Sequence, residues 1–122
     1  MAGYFEIIVP TTGADGAAEG ALTTSSPAFG TLHAVSIEYD GDAPGTTNVT
    51  LKEVGGLERT LLTVAANNTD GLYHPTVALS SNAGVASSDG AIQPALYDVK
   101  LLVEVTDSDA LTEAVVVRIL VI

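Results

Sequence analysis

Apolar and polar residues alternate along most of this chain. In residues 46–54 (TTNVTLKEV), Val49 and Leu51 share one parity and Thr50 and Lys52 the other. That is the period-two signature of a strand with one buried face, and β-branched Thr and Val suit a pleated surface. Gly55 and Gly56 follow and predict a tight reversal, because glycine takes positive φ without steric cost. Residues 59–66 repeat the pattern with more apolar content, Leu62 and Val64 against Leu61 and Thr63, which predicts a strand covered on both sides. Asn67-Asn68-Thr69-Asp70-Gly71 is turn chemistry. Tyr73, Pro75, Val77 and Leu79 then alternate with Leu72, His74, Thr76 and Ala78. Pro75 cannot donate to a ladder, so this strand is expected at an edge, or to begin at the proline.

The flanking chain adds four more strand patterns. Residues 4–9 (YFEIIV) form a short apolar run that Pro10 ends. Residues 29–39 place His33, Val35, Ile37 and Tyr39 on one face and Ala34, Ser36 and Glu38 on the other. Residues 96–106 (LYDVKLLVEVT) carry the cleanest alternation, Val99, Leu101, Val103 and Val105 against Lys100, Leu102 and Glu104. Residues 114–122 (AVVVRILVI) are apolar at both parities, interrupted on one by Arg118, and such a strand must be covered on both sides. A central place in the fold, or a neighbouring copy, would supply the cover. Two stretches break the alternation. Residues 11–28 (TTGADGAAEGALTTSSPA) are small and polar and predict a long loop or arm. Residues 80–95 (SSNAGVASSDGAIQPA) predict a second low-complexity loop.

No stretch has a capped helical stripe. About eight strand candidates with turn signals between them predict an all-β fold, an antiparallel β-sandwich or a jelly-roll-like barrel. At 122 residues, one domain spanning 1–122 is expected. Aromatic residues are 5% and Trp is absent, so Val, Leu, Ile and Ala must build the core. There is no Cys, which excludes disulfide and thiolate chemistry.

Charge narrows the partners. Four Lys plus Arg stand against 15 Asp plus Glu, a net charge of −11. Nucleic-acid binding needs clustered cations, and an anionic membrane surface needs them too; neither partner is expected. Self-repulsion and solubility follow from this charge, and a basic partner surface would be matched to it. The first residues lack the basic and long apolar regions of a signal peptide, and no apolar run reaches the ~20 residues of a membrane helix. Synthesis in a cytoplasm is expected.

Candidate chemistry is sparse. His33 and His74 have no short ligand spacing, and each reads as a strand residue with a satisfied polar edge. The Asp40/Asp42 and Asp107/Asp109 pairs are fragments of a calcium loop without the six oxygens such a site needs; they read as turn residues. Gly13, Gly16 and Gly20 are spaced loosely like a phosphate loop, but no Lys follows and Asp15 and Glu19 would repel phosphate. No GxSxG elbow occurs, and no acid pair can be singled out for glycoside chemistry. No catalytic residue, cofactor or metal site is expected, and the chain reads as a non-enzyme.

The segment DGDAPGTTNVTLKEVGGLERTLLTVAANNTDGLYHPTVAL resembles a pattern in small virion proteins of tailed bacteriophages. The matching residues are Asp42, Pro44, Thr46, Thr47, Val49, Thr50, Leu61, Leu62, Thr63, Asn67, Thr69, Asp70, Tyr73 and Pro75. They cover about a third of the chain and belong to strand and turn motifs. The resemblance implies a β-sandwich head decoration (cement) protein on the outer capsid surface, often trimeric, that clamps neighbouring major capsid subunits. It brings no catalytic residues, and no capsid-docking motif is present to separate head from tail. In that picture the 11–28 arm would order on contact with a neighbour. The alternative is a carbohydrate- or ligand-binding sandwich of a tail or cell surface, which needs aromatic platforms; four Tyr, two Phe and no Trp count against it.

Overall fold

The structure is a computed structural model and describes residues 3–80 and 82–122. The described residues form ten strands: β1 (Gly3–Val9), β2 (Ala18–Thr23), β3 (Ala28–Tyr39), β4 (Asn48–Val54), β5 (Thr60–Val64), β6 (Gly71–Tyr73), β7 (Val77–Ser80), β8 (Ala86–Ile92), β9 (Ala95–Ser108) and β10 (Val115–Val121). No helix occurs among the described residues, so none is long and apolar enough to cross a membrane.

All strand pairs are antiparallel, and the expected β-sandwich is what forms. One wall is β1-β10-β3-β6. The other is β2-β9-β4-β5. The walls join at a corner, where the first residues of β3 pair with the first residues of β9. Two long strands, of 12 and 14 residues, therefore serve both walls. Strands that change sheets do so at bends and bulges. Here Ala28 pairs with Val99 but Phe29 with Tyr97, so Asp98 is the extra residue, and its φ is +52°. Next along β3, Gly30 pairs with Leu96 and has φ +127°, a conformation that side chains resist.

The inward parity of both walls fills a single core. Val35 and Ile37 of β3 and Val115, Val117, Ile119 and Val121 of β10 meet Val49 and Leu51 of β4 and Leu101, Val103 and Val105 of β9, all buried. The alternation in 96–106 is thus realised residue by residue.

Four expectations need correction. Residues 11–28 are not a structureless arm: they contain β2, paired with β9. The preceding loop is tied down as well, since Thr12 bridges Glu19 and the Thr11 hydroxyl donates to the Asp109 carbonyl and accepts from the Leu111 amide. Small residues read as loop here because Gly20 presses on Pro10: a Cβ at position 20 would lie 2.0 Å from the Pro10 carbonyl oxygen. Residues 80–95 contain β8, which pairs with β7 as a separate two-stranded hairpin. Residues 59–66 are not covered on both sides. Their strand β5 is the outer strand of its wall, and Leu51 pairs with Leu62 while Lys52 pairs with Thr60. Leu61 is thus the bulged residue, which breaks parity and lets Leu61, Leu62 and Val64 all reach the core. Finally, His33 leaves the inner face. Val121 pairs with Leu32 and Leu120 with Ala34, so His33 is the extra residue of a bulge and Leu32 is buried instead.

Pro75 lies between β6 and β7, so the strand pattern of 72–79 is interrupted at the proline. At the far end of β2, Thr24 accepts from the Leu101 amide through its hydroxyl and donates to the Ser26 carbonyl. Thr24→Val keeps the shape and strands the buried Leu101 amide. A loss of about 1–2 kcal/mol is expected, measured by urea denaturation; a change within about 0.3 kcal/mol would show that this bond does not hold the β2 end.

Candidate functional site

The outer face of the β1-β10-β3-β6 wall is the most distinctive surface of the molecule. Cross-strand register arranges it in rows. Tyr4 lies beside Leu120 and Leu120 beside Ala34; Glu6 beside Arg118, Arg118 beside Ser36 and Ser36 beside Leu72; Ile8 beside Val116 and Val116 beside Glu38. Paired residues project to the same side, so these form one continuous patch. Tyr4 is 61% exposed, Leu72 63%, and Ile8 and Leu120 39% each. Sandwich strands usually alternate buried apolar with outward polar residues; here apolar side chains stand at both parities of β1 and β10.

The centre of the patch is ionic. The Arg118 Nε donates to Glu6 at 2.9 Å, and its Nη1 donates to Glu38. Hydrogen bonds to Glu6 and then Glu38 push the guanidinium above its usual pKa. One cation thus joins three strands and leaves a local excess of one negative charge. The two-sided apolar pattern of 114–122 is met in part: β10 is central in its wall, its inner parity is buried, and its outer parity remains half open.

Of the matched residues, Val49 and Leu61 are buried in the core, and the turn residues gather elsewhere, at one end of the sandwich. The Asp70 carboxylate accepts from the Tyr39 amide, Asn67 bonds Tyr39 and Thr69, Asn68 donates to the Ala43 carbonyl, and the Asn48 carboxamide accepts from the Ala66 amide. Thr47 donates to Pro44 and meets buried Ser108. Burial raises the Tyr39 phenol above its ordinary value, partly offset by the Asn67 bond. These residues knit loops 40–47 and 65–70 together, and their chemistry is structural.

The candidate chemistry sorts as follows. Asp40 accepts from the Asp42 amide, a local turn. Asp107 sits inside β9 at a bulge with φ +53°, accepting from Asn48 and Thr46. The Asp109 carboxylate accepts from the Gly16 amide, so the glycine loop already holds an anionic group. His33 and His74, 41 residues apart, come together: their ring centroids are 5.7 Å apart at 67°. His74 Nδ1 lies 3.1 Å from the His33 carbonyl and Gln93 Nε2 3.1 Å from His33 Nδ1. His74 precedes β7 and Gln93 follows β8, so this cluster anchors both legs of the hairpin to β3. Among the described residues, no group of three or more His, Asp or Glu side chains is placed to hold a metal ion.

One ionic site escapes an outward/inward reading of the sequence. Glu53 shares the inward parity of Val49 and Leu51 and is 5% exposed. Arg59 donates to both of its carboxylate oxygens, at 2.6 and 3.0 Å, and also to the Ala95 carbonyl at 2.6 Å. The pair clamps the β4–β5 hairpin to the corner. The signal was present as parity, but a charged residue ordinarily reads as outward.

No family model matches the chain, and no curated protein matches it. Among solved structures, the chain is similar to one from "Structure of infectious bursal disease virus Gx strain", with 13% identity and a TM-score of 0.30 over 99% of this chain. The match spans 32% of that longer chain.

Proposed function

We propose that this is a non-catalytic structural protein of a tailed-phage virion, a head decoration protein that docks on the outer shell and bridges major capsid subunits, most simply as a homotrimer. The observation that carries the reading is the outer face of the β1-β10-β3-β6 wall. It carries exposed Tyr4, Ile8, Leu72 and Leu120 around an ion-paired centre, and contiguous exposed apolar side chains mark interaction surfaces. The resemblance in residues 40–79 supports the same reading. So does the acidic charge, which favours a basic docking surface. Binding only to the assembled shell stabilises it by mass action, and many copies add avidity.

The test is sedimentation of the purified protein with phage heads assembled without it. The wild type is expected to co-sediment and to raise the temperature of shell disruption. Tyr4→Asp/Leu72→Asp is expected to fold with an unchanged melting temperature and to bind heads at least ~10-fold less tightly, since each side chain surrenders more than 1 kcal/mol at a well-packed contact. Wild-type protein that stays in the supernatant, or a double variant that binds equally well, overturns the proposal. Light scattering reports the oligomer directly: a monomer both free and on release from heads overturns the trimer.

A further inference from the structure

The two walls of the sandwich have four edges. Two are protected in ways natural sheets use against unwanted pairing: β6 is three residues long, and β5 is short and bulged at Leu61. The other two, β1 and β2, lie side by side. β1 is paired on one side by β10 and β2 on one side by β9. Among the described residues neither Tyr4–Ile8 nor Ala21–Thr23 has a ladder partner on its other side. The strands are pressed together where Gly20 meets Pro10 and diverge from there. Between them opens a cleft of about 380 Å³, lined on one side by Tyr4, Glu6 and Ile8 and on the other by Leu22, Thr23 and Ser25.

β1 is an unguarded edge. It has seven residues, no proline, no lysine and no register shift along its ladder with β10. Its one charge, Glu6, is held by Arg118. A strand edge presents alternate N–H and C=O groups, and an extended backbone matches such a row. The occupant must be a detached segment, because β2 walls the cleft on its far side and leaves no room for a strand backed by its own sheet. Its charge is constrained too. Lys52, Arg59 and Arg118, three of the four cations, are already in ion pairs, against a net charge of −11. At this edge a basic segment is favoured over a segment from another acidic copy.

We propose that the seam between β1 and β2 is a strand-acceptor site, which takes an extended segment of a partner polypeptide with positively charged flanks and adds it to the free edge of β1. Main-chain bonds to β1 supply affinity, and the exposed side chains of Ile8 and Leu22 select small apolar residues at alternate positions. The five residues Tyr4–Ile8 offer an edge of roughly 16 Å, so a segment of about five residues fills it. The proposal does not depend on the virion reading, and its test uses no phage heads.

The probe is the peptide Lys-Thr-Val-Thr-Val-Thr-Lys, with two controls: proline at the central position, and glutamate at both ends. Amide exchange of the intact protein is followed with each. The lysine-ended peptide is expected to slow exchange at residues 4–8 at least ~10-fold at concentrations where the proline peptide does nothing. The glutamate-ended peptide is expected to bind at least ~10-fold more weakly at low salt, with the difference shrinking as salt rises. Leu22→Trp fills the cleft from an exposed position and is expected to abolish the protection while leaving the melting temperature unchanged. No protection by the lysine-ended peptide at millimolar concentration overturns the proposal. Equal protection by the proline peptide, or undiminished protection in Leu22→Trp, also overturns it. Protection that appears with rising protein concentration and no peptide assigns the edge to a second copy, and overturns the partner-segment proposal.

Discussion

Gly20→Ala should destabilise the protein by about 3 kcal/mol, at the upper end of what an overpacked site costs. The new methyl would sit 2.0 Å from the Pro10 carbonyl oxygen and 3.3 Å from Val9 Cγ1. The oxygen belongs to backbone, so no rotamer change relieves the clash; β2 must move away from β1, and its ladder with β9 must move with it. Reduced freedom of the unfolded chain returns only about 0.4–1 kcal/mol. For a domain of this size the loss corresponds to a melting temperature lower by about 10 °C. The neighbouring Ala21→Ser, at an exposed position, serves as control and should fall within about 0.5 kcal/mol of wild type. A Gly20→Ala protein as stable as that control would mean that β1 and β2 do not touch there, and the cleft between them would lose its closed end.

The same glycine explains why part of the fold was hidden in the sequence. Strands whose inner residues are large announced themselves: Val99, Leu101, Val103 and Val105 alternate, and all four are buried. β2 has Ala18 at its buried position and Gly20 at its closest approach, so its inward side is made of residues that carry little hydrophobic signal. Its partner β9 lies about 80 residues away, and nothing local specifies that pairing. Bulges hid a second set of features. Parity is a period-two argument, and one extra residue inverts it; this is how His33 exchanged places with Leu32, and how Leu61 and Leu62 came to serve one core. The face proposed for docking was half legible. The sequence of 114–122 demanded cover at both parities, and the chain itself covers the inner one alone. Which strands flank β10, and therefore that Tyr4, Leu72 and Leu120 share a patch with an Arg118 triad, depends on pairings between residues as far apart as Ser36 and Leu72 or Tyr4 and Leu120, which no periodicity reports.

Arg59→Ala should be the most costly loss of a polar contact, about 3 kcal/mol at neutral pH. Removing one partner of a buried ion pair leaves the other charged and unsatisfied, a loss of about 3–5 kcal/mol. The lower figure applies because the Arg59 side chain is still 30% exposed. Two further bonds are affected: the Ala95 carbonyl loses its guanidinium donor, and the β4–β5 hairpin loses its tie to the corner. The pH dependence identifies the mechanism. Hydrogen bonding from the Arg59 side chain holds the Glu53 carboxyl below its ordinary value of 4.5; burial opposes the shift and the Arg59 amide reinforces it. A carboxyl with a depressed folded-state pKa contributes stability that is present above its unfolded value and is lost as pH falls through the folded one. Wild-type stability should therefore drop below pH 4.5 as Glu53 takes up its proton. In Arg59→Ala only burial and the amide remain, so Glu53 protonates at higher pH and the variant has less left to lose. The gap between the two proteins should be widest near pH 7 and should narrow steadily toward pH 3 in urea denaturation. Glu53→Leu/Arg59→Leu should recover most of the difference, since an apolar pair at such a site is often as stable as the ion pair it replaces. A gap that is constant with pH would assign the effect of Arg59 to packing of its aliphatic stem, and would remove the carboxylate from the account of how the corner is held.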